Sequence, residues 1–109
     1  MSDDIAKTAA KVLVVIPAYN EAGKIRQVIA DLRAHVPEMD VAVIDDGSLD
    51  ATAEIAASQG AIVLPLPFNL GIGGALQTGY IYAAEHGYDI AVQFDGDGPG
   101  ATAVMGGHA

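Results

Sequence analysis

The chain of 109 residues has no cysteine and no tryptophan, and only five lysines and arginines stand against fourteen aspartates and glutamates. Without cysteine there is no disulfide framework, no thiol nucleophile and no thiolate metal site. The formal net charge is −9, which excludes a nucleic-acid partner: phosphate contacts need a basic face, and Lys7, Lys11, Lys24, Arg26 and Arg33 are few and scattered. An anionic lipid surface is disfavoured for the same reason. No run approaches the ~20 apolar residues of a membrane span. The acidic start MSDDIAKTAAK is not a secretory signal, and a cytoplasmic protein is expected. A phosphorylated ligand must then be held by main-chain N–H groups or through a metal ion.

What is present is mostly aliphatic. Apolar residues make up 51% of the chain and aromatics 6%, enough for one core, while the length is too short for two. VLVVI at 12–16 reads as a buried parallel strand stopped by Pro17. Asn20 then fits a helix cap with Glu21 in the first turn, and Ile25, Val28, Ile29 and Leu32 make one apolar helical face ending at Val36-Pro37. A second strand, Val41 to Ile44, leads to Asp45-Asp46-Gly47-Ser48, where Ser48 or Asp50 fits the cap of a helix ending near Gly60. A third strand, Ala61 to Leu64, precedes a small-residue helix from about Gly73 to Glu85, and a fourth strand covers Ile90 to Phe94. This βαβαβαβ order predicts an α/β fold with a mainly parallel sheet, right-handed crossovers, Rossmann-like strand order 3-2-1-4 and helices on both faces. Residues 1–98 form the domain. Residues 99–109, rich in Gly and Ala with neither helical nor strand period, read as a loose tail.

Ligands of open α/β sheets bind beyond the carboxyl ends of the strands, and three segments fall there: Pro17-Ala18-Tyr19-Asn20-Glu21, Asp45-Asp46-Gly47-Ser48 and Asp95-Gly96-Asp97. In the order 3-2-1-4, strands 1 and 4 flank the switch point, so Asp95 and Asp97 are expected across a crevice from the Pro17–Glu21 loop. Clustered carboxylates repel and await a cation or hydrogen-bond donors. For Asp46, Ser48 and Asp50 the alternative use is capping and turns. For Asp95-Gly96-Asp97 it is a plain β-turn, but two carboxylates flanking a glycine at the end of a buried strand suit Mg²⁺ or Mn²⁺. Tyr19, in the first loop, offers a ring to border a nucleotide base. NLGIGGALQTG at 69–79 lacks the third glycine in register and follows the third strand, so it is not a dinucleotide fingerprint. Its glycines serve helix–sheet packing first. The N–H groups at its helix start, Gly71 among them, are second candidates to touch a phosphate. His35, His86 and His108 share no metal spacing, and no serine sits in a nucleophile elbow.

Taken in order, VLVVIPAYNE at 12–21, VAVIDDGSLDAT at 41–52, NLGIGGALQTGY at 69–80 and AVQFDGDG at 91–98 resemble the nucleotide-binding half of family-two glycosyltransferases, nearest the dolichol- and polyprenyl-phosphate sugar transferase branch. The resemblance covers roughly residues 11–98. It implies a GT-A fold and inverting transfer of a sugar from a nucleoside diphosphate, UDP or GDP, with a polyprenyl phosphate as acceptor. By that resemblance Pro17, Ala18, Tyr19 and Glu21 line the base and ribose pocket, Asp46 with or without Asp45 contacts base or ribose, and Asp95 and Asp97 match the Asp-x-Asp motif that holds Mg²⁺ or Mn²⁺. The similarity stops after Gly98, as expected of a truncated or frame-shifted reading frame or of a deliberately shortened chain, and the resemblance supplies no residue here for the catalytic base. An incomplete chain that binds nucleotide or self-associates without transfer is the alternative. Without the further strands that the resemblance implies for the complete fold, Ile90 to Phe94 is left as an apolar sheet edge, and self-association through it is expected, with the tail exchanged between subunits.

Overall fold

The computed structural model describes residues 10–94 and 102–106. Their elements are β1 (Val12–Ala18), α1 (Ile25–His35), β2 (Asp40–Asp45), α2 (Thr52–Ser58), β3 (Ile62–Pro65), α3 (Gly71–Glu85), β4 (Ile90–Gln93) and β5 (Thr102–Gly106). The sheet order is β3-β2-β1-β4-β5. The first four strands are mutually parallel, in the expected order 3-2-1-4, and β5 runs antiparallel to β4.

Strand alternation sorts the aliphatic residues into two layers. Leu13, Val15, Ala42 and Ile44 face α3 and pack with Ala75 and Ala83, while Val14, Ile16, Val41 and Val43 pack with Ile25 and Ile29 of α1 and Ala56 of α2. Fully burying a side chain such as Leu13, Ile16 or Ile44 contributes about 1.5–3 kcal/mol, so β1 and β2, covered on both faces, form the centre of the core.

Pro17 does not end β1. Val15 O accepts from Phe94 N–H on the β4 side, and Ala18 O accepts from Asp46 N–H on the β2 side. Pro17, two residues beyond Val15, therefore turns its missing donor past the end of β4, where no ladder bond is needed. Asn20 is not a helix cap either: it has φ 52, and α1 begins only at Ile25. Two further expectations are corrected by β5. Part of the presumed loose tail is a strand, with Gln93 partnered by Thr102 and Ile90 by Gly106. The fourth strand is consequently an interior strand, which removes the reason for expecting self-association through it.

At the opposite, amino edge of the sheet, Tyr88 donates its hydroxyl to Asp40 Oδ2 at 2.5 Å, and Lys11 Nζ lies 4.5 Å from its ring centroid. Burial, reinforced by the Asp40 hydrogen bond and charge, raises the Tyr88 pKa above its ordinary 10.0. Above that pH the unfolded chain releases this proton while the folded chain keeps it, so the stability contributed is present below pH 10.0 and lost as pH rises. The urea midpoint of Tyr88→Phe is expected to fall less between about pH 9 and pH 11 than that of the wild type. Equal falls would show that the buried phenol does not carry the alkaline sensitivity.

Candidate functional site

The loops after β1 and β2 meet the start of α3 at the carboxyl edge of the sheet. In-register pairing of Ala18 with Asp45 brings the first two loops out side by side. Asn20 N–H donates to Ser48 Oγ at 2.8 Å, and Leu49 N–H returns to Asn20 Oδ1 at 2.8 Å. The second loop in turn lies against the approach to α3. Gly47 has φ 80, and a Cβ there would fall 2.7 Å from Asn69 N and 2.8 Å from Phe68 C, so this backbone-to-backbone contact admits only glycine.

Between these segments lies a cleft of about 300 Å³. Pro17, Ala18, Tyr19, Glu21, Asp46 and Gly71, all named from the sequence as nucleotide-binding candidates, line it together. Asp45 does not. It is the last residue of β2, nearly buried, with Oδ1 accepting Ser48 N–H at 3.0 Å. Asp46 is also nearly buried: its Oδ1 accepts Leu70 N–H at 2.7 Å and its Oδ2 accepts Gly71 N–H at 3.0 Å. The carboxylate thus spans from the β2 loop to the first residue of α3, satisfying main-chain donors at a helix start. Glu21 Oε1 lies 3.5 Å from Lys24 Nζ, and Tyr19 is 44% exposed.

Asn69 and Ile72 complete the lining and were not singled out in the sequence. Asn69 Oδ1 accepts Gly71 N–H at 3.0 Å, and Gly71 has φ 86. An Asn two residues before a left-handed Gly is an Asx-turn signal that was available in NLG. The lining therefore holds two carboxylates, one amide and one phenol, and neither Lys nor Arg. Asp95 and Asp97 lie outside the described residues. Among the described residues no group of three or more His, Asp or Glu is placed to hold a metal ion.

A family model described as Glycosyl transferase family 2 matches residues 13–97. The chain belongs to glycosyl transferase family 2. Among its relatives, the undecaprenyl-phosphate mannosyltransferase of Micrococcus luteus is 40% identical over 93 residues, covering 81% of this chain and 38% of the relative. The UDP-N-acetylglucosamine–dolichyl-phosphate N-acetylglucosaminyltransferase of Methanococcus voltae is 35% identical over 104 residues, covering 80% of this chain and 41% of that one. The chain thus spans about two-fifths of the length of these curated relatives. Among solved structures, glucosyl-3-phosphoglycerate synthase from Mycobacterium tuberculosis, in complex with Mn²⁺, UDP and glucosyl-3-phosphoglycerate, superposes with a TM-score of 0.66 at 32% identity, covering 84% of this chain and 35% of that one. The mannosyltransferase PcManGT from Pyrobaculum calidifontis, in complex with GDP-Man and Mn²⁺, gives a TM-score of 0.70 at 24% identity over 81% of this chain and 28% of that one, and so shares the fold. The architecture is that of the GT-A glycosyltransferases. No described helix is long and apolar enough to cross a membrane.

Proposed function

We propose that this chain forms the donor-binding part of a metal-dependent, inverting glycosyltransferase, holding a nucleoside-diphosphate sugar in the cleft between β1, β2 and α3. The observation that carries the reading is that cleft itself: six residues from three separated sequence motifs converge on it. Pro17, Ala18 and the half-exposed Tyr19 ring supply apolar surface for a base, and Glu21 and Asn69 supply polar groups for base or ribose. Asp46 holds the α3 side of the wall in place.

The charge of the site supports the metal. The lining carries two carboxylates and no basic side chain, so a diphosphate entering it needs a cation to offset the repulsion. Asp95 and Asp97 are the residues we assign to hold Mg²⁺ or Mn²⁺. In sequence Asp95 comes directly after Phe94, whose N–H donates to Val15 O at 2.9 Å, two residues before Pro17 of the first loop, and Asp97 follows two residues later. Carboxylate oxygens are the hard donors such ions prefer. When bound, the cation supplies Lewis-acid neutralisation of the diphosphate leaving group. The names of the relatives from M. luteus and M. voltae support a polyprenyl or dolichyl phosphate as acceptor class.

Thermal denaturation with UDP-glucose and GDP-mannose, each with Mn²⁺ and again with chelator, tests the reading. A ligand at a hundredfold excess over its Kd stabilises by about 2.7 kcal/mol, or roughly 10 °C in Tm for a domain of this size. A shift of this order is expected with one nucleotide sugar only when Mn²⁺ is present, and Asp97→Ala is expected to remove it while leaving the unliganded Tm unchanged. No shift with either sugar nucleotide would refute donor binding. A shift that survives both chelator and Asp97→Ala would refute the metal assignment alone.

A further inference from the structure

Three successive main-chain N–H groups of the loop after β1 are taken up by side chains of the β2–α2 connection and of the first residue of α2. Asn20 N–H donates to Ser48 Oγ at 2.8 Å, Glu21 N–H to Thr52 Oγ1 at 2.9 Å and Ala22 N–H to Asp50 Oδ2 at 3.2 Å. Thr52 is fully buried. Its hydroxyl accepts from Glu21 and donates to Asp50 Oδ1, the oxygen that also accepts Thr52 N–H at 3.0 Å. The Thr52 hydroxyl is also the main reason the exposed Asp50 carboxyl sits below its usual pKa. Two residues therefore make a small relay: Asp50 orients the Thr52 hydroxyl, and both accept from the neighbouring loop.

The loop they hold has no ladder of its own. Between the end of β1 at Ala18 and the start of α1 at Ile25, it includes Asn20 in a left-handed conformation, which costs free energy that surrounding contacts must offset. Tyr19 and Glu21, on either side of Asn20, line the cleft. A loop left to fluctuate would have to be ordered by each arriving ligand, lowering affinity, whereas a loop already fixed adds nothing to that cost.

We propose that Thr52 and Asp50, neither of which lines the cleft, are positioning residues for it, fixing the main chain of residues 20–22 so that Tyr19 and Glu21 stand as one preformed wall. This rests on the nucleotide-sugar reading above. Thr52→Val keeps the shape and deletes the hydroxyl. Thr52→Ser restores the hydroxyl. Asp50→Asn, at an exposed position, replaces one carboxylate oxygen with an amide NH2 that cannot accept, so the contacts with Ala22 and with Thr52 can no longer both be kept.

Calorimetric titration of the whole chain with UDP and GDP in the presence of Mn²⁺, paired with amide hydrogen exchange, is the test. Thr52→Val is expected to weaken binding about tenfold and Asp50→Asn about threefold, with Thr52→Ser within about twofold of wild type. Exchange at residues 21 and 22 is expected to accelerate in the first two variants while β1 and β2 keep their protection. Wild-type affinity in either Thr52→Val or Asp50→Asn overturns the proposal. Failure of Thr52→Val to fold passes the decision to Asp50→Asn. If the wild type binds neither nucleotide, the donor reading fails by itself, and exchange decides the positioning claim: selective acceleration at 21 and 22 upholds it, and unchanged or uniformly faster exchange overturns it.

Discussion

Gly79→Val is expected to destabilise the fold by about 3 kcal/mol, seen as a drop in Tm of roughly 10 °C or more. Gly79 lies in the middle of α3 on the face that meets the sheet. A Cβ added there would sit 2.5 Å from Val15 Cγ1, 3.1 Å from Val15 Cγ2 and 3.4 Å from Ile44 Cδ1. Neither neighbour yields easily. Val15 is β-branched, confined to few rotamers, and both residues are fully buried on the two strands that pair in register at the centre of the sheet. Relief must come from α3 lifting away from β1 and β2, which opens packing along the whole helix. Alanine is the informative intermediate. It gains about 1 kcal/mol of helix propensity over glycine and meets the same clash with one carbon, so the order of stability should be Gly, then Ala, then Val. Val15→Ala in the same chain removes the opposing methyls and is expected to recover part of the loss, a non-additivity that a double-mutant cycle detects. A Gly79→Ala chain more stable than wild type would mean that α3 does not approach β1 this closely.

Asp46→Ala is expected to cost about 2–3 kcal/mol and to abolish measurable nucleotide binding. The stability loss follows from two charge-assisted hydrogen bonds to Leu70 and Gly71 N–H. The donors are not equally exposed to the loss: Gly71 N–H retains Asn69 Oδ1 at 3.0 Å, so Leu70 N–H bears most of it. The binding loss follows because that carboxylate ties the β2 loop to the Asn69–Ile72 side of the cleft. Asparagine keeps one acceptor and should fall between wild type and alanine. Urea titration gives the first quantity and calorimetry with Mn²⁺ and nucleotide the second. An alanine variant with full stability and full affinity would show that the bridge is incidental.

Much of this architecture was legible in the residues. The runs VLVVI and VAVI, each too short for a helix and followed by turn residues, located β1 and β2, and the alternation of strands with helices pointed to a parallel sheet whose expected order, 3-2-1-4, is the one observed. The glycines of α3 were read as packing glycines, and Gly79 against Val15 is that contact. What escaped was set by partners distant in sequence. Asn20 followed by Glu21 fits a helix cap as well as it fits a left-handed turn. Ser48 and Leu49, 28 and 29 residues away, decide the matter, and they arrive only because Ala18 pairs with Asp45. The pair Asp45-Asp46 carried the same ambiguity: both are acidic and adjacent, and only the end of β2 separates the one that closes a turn from the one that reaches α3. Residues 102–106 carried no period because β5 owes its existence to pairing with β4, a tertiary effect that local composition does not encode.

The strand register also bears on the order in which the molecule assembles. Pairing Val12 with Ile90 encloses a chain segment roughly three times as long as pairing Leu13 with Asp40, which raises its loop-closure cost by about 1 kcal/mol. On a ribosome that difference is compounded by waiting: β1, α1 and β2 are complete within the first 45 residues, while β4 emerges several seconds later at typical synthesis rates of about 5–20 residues per second. The interlocked residues 19–22 and 48–52 belong to the early-made portion, so the side of the cleft lined by Tyr19 and Glu21 is synthesised before the chain reaches its acidic Asp-Gly-Asp.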